Sequence, residues 1–366
     1  MKIVASGSML KPNHILLIKA HSMGIGDLLR SSAAWSALKQ RWPDAQLHLL
    51  MLSKHSGYAS EEFIRSHHLL SSAHFVTVKS GHPGHTKQSS LPASVVHAAV
   101  NEALGDVPID LVIDFEPYGI KTALLARSIA RRRGAVSIGI AQFPLRKYFY
   151  DLSAPSVPHY AHAHNLPTPM DYTERDFVAL AALGIARGDT KITLEVGAEG
   201  RAWQVQHPWV SKPGRKRVVL NIGCGTPDAK SKRPDLAHLA QCFMAMYVIE
   251  PFDLHLSGAD FEKEINTQFT TLLAAVMAQQ GLHTDMVDWA GQLSLTQMSG
   301  LLSQADLVVS SDSGPFHMAV ALGVPTLCWF NFDTPASYHP QDKVCSLILP
   351  TTDRFAQAAC NLLRSG

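Results

Sequence analysis

Short aliphatic runs alternate with helical patterns along most of this chain, and the alternation restricts its fold more than any other feature. The clearest helical pattern covers residues 27–42, where Leu28, Trp35 and Leu38 recur at helical spacing before Pro43 ends it. Strands that alternate with helices pair in parallel through right-handed crossovers. The sequence therefore predicts an α/β protein with doubly wound sheets. The runs of strand length are residues 14–19, 46–52, 75–79, 110–114 and 136–140, followed later by 218–222, 253–257, 307–310 and 324–329.

An interruption of the alternation divides the chain into two parts. Residues 141–170 are rich in Pro, His and aromatic residues, and after a predicted helix at 172–183 the alternation resumes only at residue 218. A chain of 366 residues is long enough for two domains. We therefore predict Rossmann-like domains at 1–184 and 216–366, a linker at 185–215, and a last helix that is a candidate for packing back on the first domain.

The composition is typical of a protein of the cytoplasm. No stretch approaches about 18 uninterrupted apolar residues, and the amino terminus lacks the long apolar core of an export signal. The five cysteines include no C-x-x-C pair, which favours reduced thiols. The first 200 residues hold 20 Lys and Arg against 16 acids, an excess too small to indicate nucleic acid. It would suit an acidic ligand or peripheral contact with the inner face of the cytoplasmic membrane.

The strongest candidate site lies in the sequence ADLVVSSDSGPFHMAVALGVPTLCW. Asp312 and Ser313 follow a predicted strand and are suited to cap a helix. Gly314 allows a ligand to approach the backbone, and His317 falls in the first helical turn. A helix start presents unpaired N–H groups and partial positive charge, which suits a diphosphate. A well-capped helix without a ligand explains the same residues about equally well.

Three other strand-to-helix turns carry residues suited to the same ligand or to its reaction. Lys230, Lys232 and Arg233 can bind phosphates, although such clusters are more often solvated surface. Glu262 can accept hydrogen bonds from a ribose, or it can simply favour the helix dipole. Asp27 can take a proton from an attacking hydroxyl, and capping of its helix is the equal alternative.

Two further features, a pair of acids and a run of basic residues, are explained better by a structural role than by a functional one. Asp114 and Glu116 directly follow a strand and form a minor candidate for Mg²⁺, but cations are available for the phosphates, and we expect no metal. The run RSIARRR at residues 127–133 ends a helix, where cations favour the dipole. Contact of this run with an acidic acceptor or lipid is the minority interpretation.

Taken together, these residues resemble glycosyltransferase family nine, the bacterial heptosyltransferases that assemble the lipopolysaccharide core. The similarity covers nearly the whole chain. Its three blocks are ILLIKAHSMGIGDLLRSSAAWSALKQRWPDAQLHLL, IDLVIDFEPYGIKTALLARSIARR and SDSGPFHMAVALGVPTLCWF. The resemblance implies the GT-B fold, in which two Rossmann-like domains face each other across a cleft. It also implies an inverting transfer of heptose from ADP-heptose to a hydroxyl of a lipopolysaccharide inner-core or related acidic lipid-linked glycan, without metal or cofactor.

The resemblance also assigns roles to residues of this chain. Asp27 matches the catalytic base, although two extra residues, Ile25 and Gly26, precede it. The lysine expected before the phosphate-loop helix falls on Ser231, so Lys230 or Lys232 substitutes for it, with Lys230 slightly preferred. The donor-binding matches are Thr226, Lys230, Lys232, Glu262, Asp312, Ser313, Gly314 and His317, and the acceptor-binding matches are Ser22, Met23 and Lys121.

Two other classes of function remain open at this point. A GT-B-fold sugar-nucleotide epimerase or hydrolase would need further acid and base groups, for which Glu116 and His21 are candidates. A non-catalytic nucleotide-sugar-binding protein would keep the donor helix and lose transfer. The presence of Asp27 disfavours that last class.

Overall fold

The computed structural model describes residues 10–20, 24–54, 56–80, 89–210, 212–224 and 229–365, with residues 229 and 230 described by their backbone. The chain divides into two compact units, Met1–Ile192 and Thr193–Gly366. The boundary between the units falls inside the stretch 185–215 that the sequence predicts as a linker. Among the described residues, no helix is both long and apolar enough to cross a bilayer.

The first unit is built around one parallel sheet. Its elements are β1 (His14–Ala20), α1 (Ile25–Arg41), β2 (Gln46–Ser53), α2 (Ala59–Arg65), β3 (Ser72–Thr77), α3 (Ala93–Leu104), β4 (Leu111–Asp114), α4 (Ile120–Arg133), β5 (Val136–Ile140), β6 (Leu152–Ala154), α5 (Val157–Ala163) and α6 (Arg175–Leu180). Within the described residues, the six strands lie in the order β3-β2-β1-β4-β5-β6, and every neighbouring pair is parallel.

The second unit repeats this plan. Its elements are α7 (Ala198–Gln206), β7 (Lys216–Asn221), α8 (Leu236–Ile249), β8 (Phe252–Ser257), α9 (Lys263–Ala278), β9 (Met286–Asp288), α10 (Leu295–Ser303), β10 (Leu307–Ser311), α11 (Gly314–Ala321), β11 (Thr326–Phe330), β12 (Val344–Ile348) and α12 (Thr352–Ser365). The six strands of its described part lie in the order β12-β11-β10-β7-β8-β9, again all parallel. When the strands of each unit are numbered from 1 to 6 along the chain, both sheets have the strand order 3-2-1-4-5-6.

Helices cover both faces of each sheet, so the central strands each contain a buried apolar run. In β1, Ile15, Leu16, Leu17 and Ile18 are all fully buried, as expected for a parallel strand with helices on both sides. In the second unit, the ring of Phe243 on α8 packs against three other phenylalanine rings with centroids 5.4 to 5.8 Å away. Burial of each such ring stabilises the fold by about 1.5–3 kcal/mol.

The sequence prediction of doubly wound α/β sheets is confirmed, with local differences. The strand predicted at 75–79 is observed as β3, which begins three residues earlier and ends two residues earlier. The short or partly exposed strands β6, β9 and β12 were not predicted, and the irregular stretch 141–170 contains β6 and α5. Inside the predicted linker, α7 forms and packs against α10. The last helix, α12, packs against α8 of its own unit.

The strand order determines where ligands are expected. In each sheet, two adjacent central strands are followed by connections that run to opposite edges of the sheet. These strands are β1 and β4 in the first unit and β7 and β10 in the second. Such a switch point opens a crevice beyond the carboxyl ends of the strands. The functional residues are therefore sought at these two edges.

Candidate functional sites

Buried polar side chains tie together the strand ends at the switch point of the second unit. The Asn221 side chain, at the end of β7, donates to the Gly223 carbonyl at 2.8 Å and to Ser313 Oγ at 3.1 Å. Ser257 Oγ, at the end of β8, donates to Asn221 Oδ1 at 3.2 Å. Ser311 Oγ donates to the Gly223 carbonyl at 2.6 Å. This network fixes the backbone from which the motif at 312–317 begins.

Glu262, the predicted ribose ligand, is packed against the loop that follows β7. It is 1% exposed, and its Oε2 accepts a hydrogen bond from the Ala259 backbone N–H at 2.8 Å. A Cβ on Gly223 would lie 1.6 Å from Glu262 Oε1, so this close approach requires glycine. Glu262 therefore borders the same loop as Asn221 and Ser311.

Asp312 pairs with Lys232 and does not cap the helix. Lys232 Nζ lies 2.7 Å from Asp312 Oδ2 and donates to the Asp312 carbonyl at 3.2 Å. The N-cap residue of α11 is Ser313, whose hydroxyl bonds to the Ser311 carbonyl and the Asn221 amide. Ser313 thus occupies the N-cap position that the sequence predicts, but its side chain makes no capping hydrogen bond, and the Asp312 carboxylate pairs with Lys232 instead. Gly314 and Pro315 open the helix, as the sequence predicts.

His317 lies in the first turn of α11 and is paired with a histidine that the sequence did not single out. Its Nδ1 lies 2.7 Å from His339 Nε2, and both rings are buried. Its Nε2 lies 3.9 Å from Asp312 Oδ1. No local pattern distinguishes His339, which has a left-handed backbone (φ 48°) in the segment after β11.

Asn331 holds the turn that carries Lys232. Its side-chain amide donates to the carbonyls of Ser231 and Arg233, at 2.7 and 2.8 Å. Trp329 Nε1 donates to Asn331 Oδ1 at 2.8 Å and so fixes the orientation of this amide. No sequence motif distinguishes Asn221 and Asn331, but both stand at or just after the carboxyl end of a strand, where ligand-binding residues are expected in doubly wound folds.

In the first unit, Asp27 is exposed in the first turn of α1. Ile25 and Gly26, the two extra residues of the motif, form the start of that helix. Lys121, the predicted acceptor ligand, is exposed in the first turn of α4.

Lys19 and Glu116 lie at the switch point of the first sheet. Lys19 Nζ is 2.8 Å from both carboxylate oxygens of Asp176 and donates to Ser31 Oγ at 2.7 Å. Glu116 Oε1 accepts from the Ala20 backbone N–H at 2.8 Å. Burial raises the pKa of Glu116 to about 7, against the opposing effect of Lys19. Glu116 can thus hold or release a proton near neutral pH.

Asp114 is occupied by protein groups and forms no open cation site with Glu116. Its Oδ2 accepts from Arg146 at 3.0 Å and from the Tyr150 hydroxyl at 2.7 Å, and its Oδ1 accepts from the Glu116 backbone N–H at 3.0 Å. The minor magnesium interpretation of this pair therefore has no support in the geometry. In the part of the chain that the structure describes, no group of three or more His, Cys, Asp or Glu side chains is arranged to hold a metal ion.

Several predicted site residues belong to the segments that the structure does not describe. Ser22 and Met23, the predicted acceptor ligands, and His21 and Thr226 lie outside the described residues, and Lys230 is described by its backbone alone.

Comparisons with known proteins identify similar sequences and folds. A model of glycosyltransferase family 9 (heptosyltransferase) matches residues 270–358. The lipopolysaccharide core heptosyltransferase OpsX of Haemophilus influenzae is 37% identical over 68 residues, which are 18% of this chain. The match spans 20% of the length of that relative.

Two solved structures resemble the whole chain. The glycosyltransferase family 9 protein of Veillonella parvula is 15% identical, covers 97% of this chain over 98% of its own, and gives a TM-score of 0.68. The E. coli heptosyltransferase WaaC with ADP is 18% identical, covers 96% of this chain over 99% of its own, and gives a TM-score of 0.62. These likenesses confirm the expected α/β fold of two doubly wound units. The predicted resemblance to glycosyltransferase family 9 is therefore confirmed, and the segment that matches the family model contains Asp312, Ser313, Gly314 and His317.

Proposed function

We propose that this protein is a glycosyltransferase that moves heptose from ADP-heptose to a hydroxyl of a lipopolysaccharide inner-core or related acidic glycan. The observation that carries the proposal is the grouping of Lys232, Asp312 and His317 at the amino end of α11, at the switch point of the second sheet. This grouping lies where nucleotides bind in doubly wound folds. The proposed nucleotide is the ADP that one of the similar structures contains.

The donor diphosphate would be held by two sources of positive charge. The amino end of α11 presents backbone N–H groups and the positive end of the helix dipole. Lys232 adds a full charge, and its ion pair with Asp312 keeps the ammonium beside the start of that helix. Both groups would stabilise the charge that develops on the departing ADP. Thr226 and Lys230 are proposed to complete the phosphate loop, and Glu262 to meet the ribose.

The transfer itself requires a base and no metal. The acceptor hydroxyl would attack the anomeric carbon of the heptose while its proton passes to the Asp27 carboxylate. The bond between the anomeric carbon and the diphosphate oxygen would break, and its electron pair would leave with ADP. Attack from the face opposite the leaving group inverts the anomeric centre, through an oxocarbenium-like state. Ser22, Met23 and Lys121 are proposed to orient the acceptor.

The proposal is tested by replacing Asp27 and measuring chemistry and binding separately. Asp27→Asn should lower acceptor-dependent ADP release by about 100-fold or more, because a general base contributes about that factor. Calorimetric binding of ADP should be unchanged, since the donor residues lie in the second unit. Asp44→Asn is the matched control, because Asp44 is also an exposed carboxylate of the first unit.

The products distinguish the competing classes of function. Unchanged turnover by Asp27→Asn would remove Asp27 from the role of base. Release of free heptose without an acceptor would indicate a hydrolase, and an epimerised nucleotide sugar would indicate an epimerase. Binding of ADP without any consumption of the donor would indicate a non-catalytic protein. Since nucleotide sugars are cytoplasmic substrates in this proposal, we also place the protein in the cytoplasm.

A further inference from the structure

Two buried histidines from separate segments of the second unit form a direct pair beside the proposed donor site. His317 lies in the first turn of α11, and His339 lies in the segment between β11 and β12. His317 Nδ1 and His339 Nε2 are 2.7 Å apart, and the two residues are 6 and 2% exposed. At this distance the two nitrogens share one hydrogen bond, so one of them carries the hydrogen and the other accepts it.

The Asp312 carboxylate determines which ring donates in this pair. Its Oδ1 lies 3.9 Å from His317 Nε2, which is too far for a direct hydrogen bond, but its negative charge favours a hydrogen on that nitrogen. A neutral imidazole with its hydrogen on Nε2 has a lone pair on Nδ1. The hydrogen between the two rings therefore belongs to His339 Nε2, and His317 Nδ1 accepts it.

The backbone of His339 is held in an unfavourable conformation. Its φ is 48°, a left-handed value uncommon outside glycine, and Pro340, which follows directly, favours an extended backbone instead. The preceding residue is held on two sides. The Tyr338 hydroxyl donates to Asp333 Oδ1 at 2.6 Å, and the Tyr338 carbonyl accepts from Ser346 Oγ on β12 at 3.2 Å. Strain of this kind persists only where the surrounding structure enforces it, and it is concentrated at functional sites.

We propose that His339 is a positioning residue of the donor site. Its Nε2–H donates to His317 Nδ1, which directs the Nε2–H of His317 toward the Asp312–Lys232 ion pair at the start of α11. A nucleotide diphosphate at this place receives a hydrogen bond from His317, in addition to the charge of Lys232 and the backbone N–H groups of the helix. The inference rests on the proposed function, because it requires a nucleotide at this end of α11. His339 itself acts through His317 and does not contact the nucleotide.

The first test is nitrogen NMR of the 366-residue chain labelled with ¹⁵N-histidine. The resonances of His317 are those lost in His317→Ala. In the wild type without nucleotide, His317 should show a protonated Nε2 and an unprotonated Nδ1, whose resonance lies far downfield. His339→Gln should preserve this pattern, because the glutamine amide also donates a hydrogen bond. His339→Met should shift both resonances toward an average of two tautomers, because a thioether has no hydrogen to donate.

The second test is calorimetric titration of the same variants with ADP. His339→Met should weaken ADP binding by about tenfold, the effect of losing one hydrogen bond to a charged group, whereas His339→Gln should lose far less. Glutamine and methionine are both unbranched and similar in length, so the two variants place the same demand on the strained backbone. In the His317→Ala background, His339→Met should change the affinity by less than about twofold, because the two residues act through one contact.

A further variant covers the case in which His339→Met does not fold, as a melting curve would show. Asparagine tolerates a left-handed backbone, so His339→Asn keeps the conformation of the chain. Its amide nitrogen corresponds to Nδ1 of histidine and is too close to the backbone to replace Nε2. His339→Asn should therefore behave as predicted for His339→Met in both measurements.

Three results would overturn this inference alone. The first is a hydrogen on Nδ1 and none on Nε2 of His317 in the wild type. The second is an equal change of ADP affinity, or none, in His339→Gln and His339→Met. The third is a loss in His339→Met that persists in the His317→Ala background, which would leave His339 a purely structural role. Wild-type protein that does not bind ADP would instead overturn the proposed function and, with it, the diphosphate contact, while the NMR pattern would still show whether His339 orients His317.

Discussion

At the scale of single residues, the Asp312 carboxylate lies between a lysine and a histidine. Its Oδ2 is 2.7 Å from Lys232 Nζ, and its Oδ1 is 3.9 Å from His317 Nε2. Asp312 is 15% and Lys232 45% exposed, so water reaches the lysine more than the carboxylate. This arrangement favours a role for Asp312 in positioning Lys232, which itself remains accessible to a ligand.

Lys232 is therefore predicted to matter more for nucleotide binding than Lys230. Lys232→Ala should weaken ADP binding by about 10- to 100-fold, as expected when a hydrogen bond to a charged group is lost. Lys230→Ala is the control, and it should have a smaller effect. Calorimetric titration with ADP measures both. A larger loss for Lys230→Ala would instead support the preference that the sequence alone suggests.

The sequence predicts the residue types of the donor site but not their pairings. Lys230 and Lys232 lie in one 3₁₀ helix, Ala229–Lys232, where each residue turns the chain by a third of a circle. The turn is fixed by Asn331, one hundred residues along the chain from Ser231. No local pattern carries that contact, so the sequence cannot choose between the two lysines.

At the scale of elements, the 3₁₀ helix Arg146–Phe149 stabilises the loop after β4 through one buried ion pair. Arg146 is 3% and Asp114 0% exposed, with Arg146 Nη2 3.0 Å from Asp114 Oδ2. The same guanidinium reaches the carbonyls of Glu116 and Gly119. The ion pair thus links the end of β4 to the start of α4, the segment that carries Glu116 and Lys121.

Removal of Arg146 should therefore destabilise the protein strongly. Arg146→Met should lower the free energy of unfolding of the first unit by about 3–5 kcal/mol, because Asp114 would remain buried without its cation. Lys147→Met, at the adjacent exposed position, should change it by less than about 0.5 kcal/mol. Urea unfolding followed by circular dichroism measures both variants. Equal stability of the two would show that the pair contributes nothing net.

The elements that the sequence did not predict depend on partners distant in the chain. In α7, the buried residues are Gly200 and Trp203, which is too few for an apolar periodicity. The helix is explained by its contact with α10, where a Cβ on Gly300 would lie 2.6 Å from the Gly200 carbonyl oxygen. β6 has three residues, and it pairs with β5 beside Asp151, whose carboxylate bonds to the Ser137 backbone. Long apolar strands such as β1 and β2 are recognisable without distant partners, and the sequence predicts their ends to within a residue or two.

At the scale of the whole molecule, each unit contains a core of its own. The first is formed by apolar residues of β1, β2, β4, α3 and α4, and the second by those of β7, β8, β10, α8, α9 and α12. The alternation of strands and helices predicts this class of fold, since parallel pairing and right-handed crossovers leave few strand orders. It does not predict the boundary between Ile192 and Thr193, because short helices and extended segments on both sides of that point lack periodicity.

Two separate cores lead to a prediction for hydrogen exchange. The proposed donor residues that the structure describes all belong to the second unit, so ADP should stabilise that unit by mass action, by about 2.7 kcal/mol at a concentration of 100 times Kd. Exchange measured by mass spectrometry should therefore slow in peptides from β7, β10 and α11, while peptides from β1, β2 and β4 should be unchanged.

The Lys232→Ala variant supplies the control for this experiment. At the same ADP concentration it should show less protection in β7, β10 and α11, because a weaker complex adds less free energy to the native state. At an ADP concentration raised in proportion to its Kd, the protection should return to the wild-type level, which separates loss of affinity from loss of structure. Protection by ADP in β1, β2 and β4 that equals the protection in β7 and β10 would contradict the prediction, since the two cores would then open as one cooperative unit.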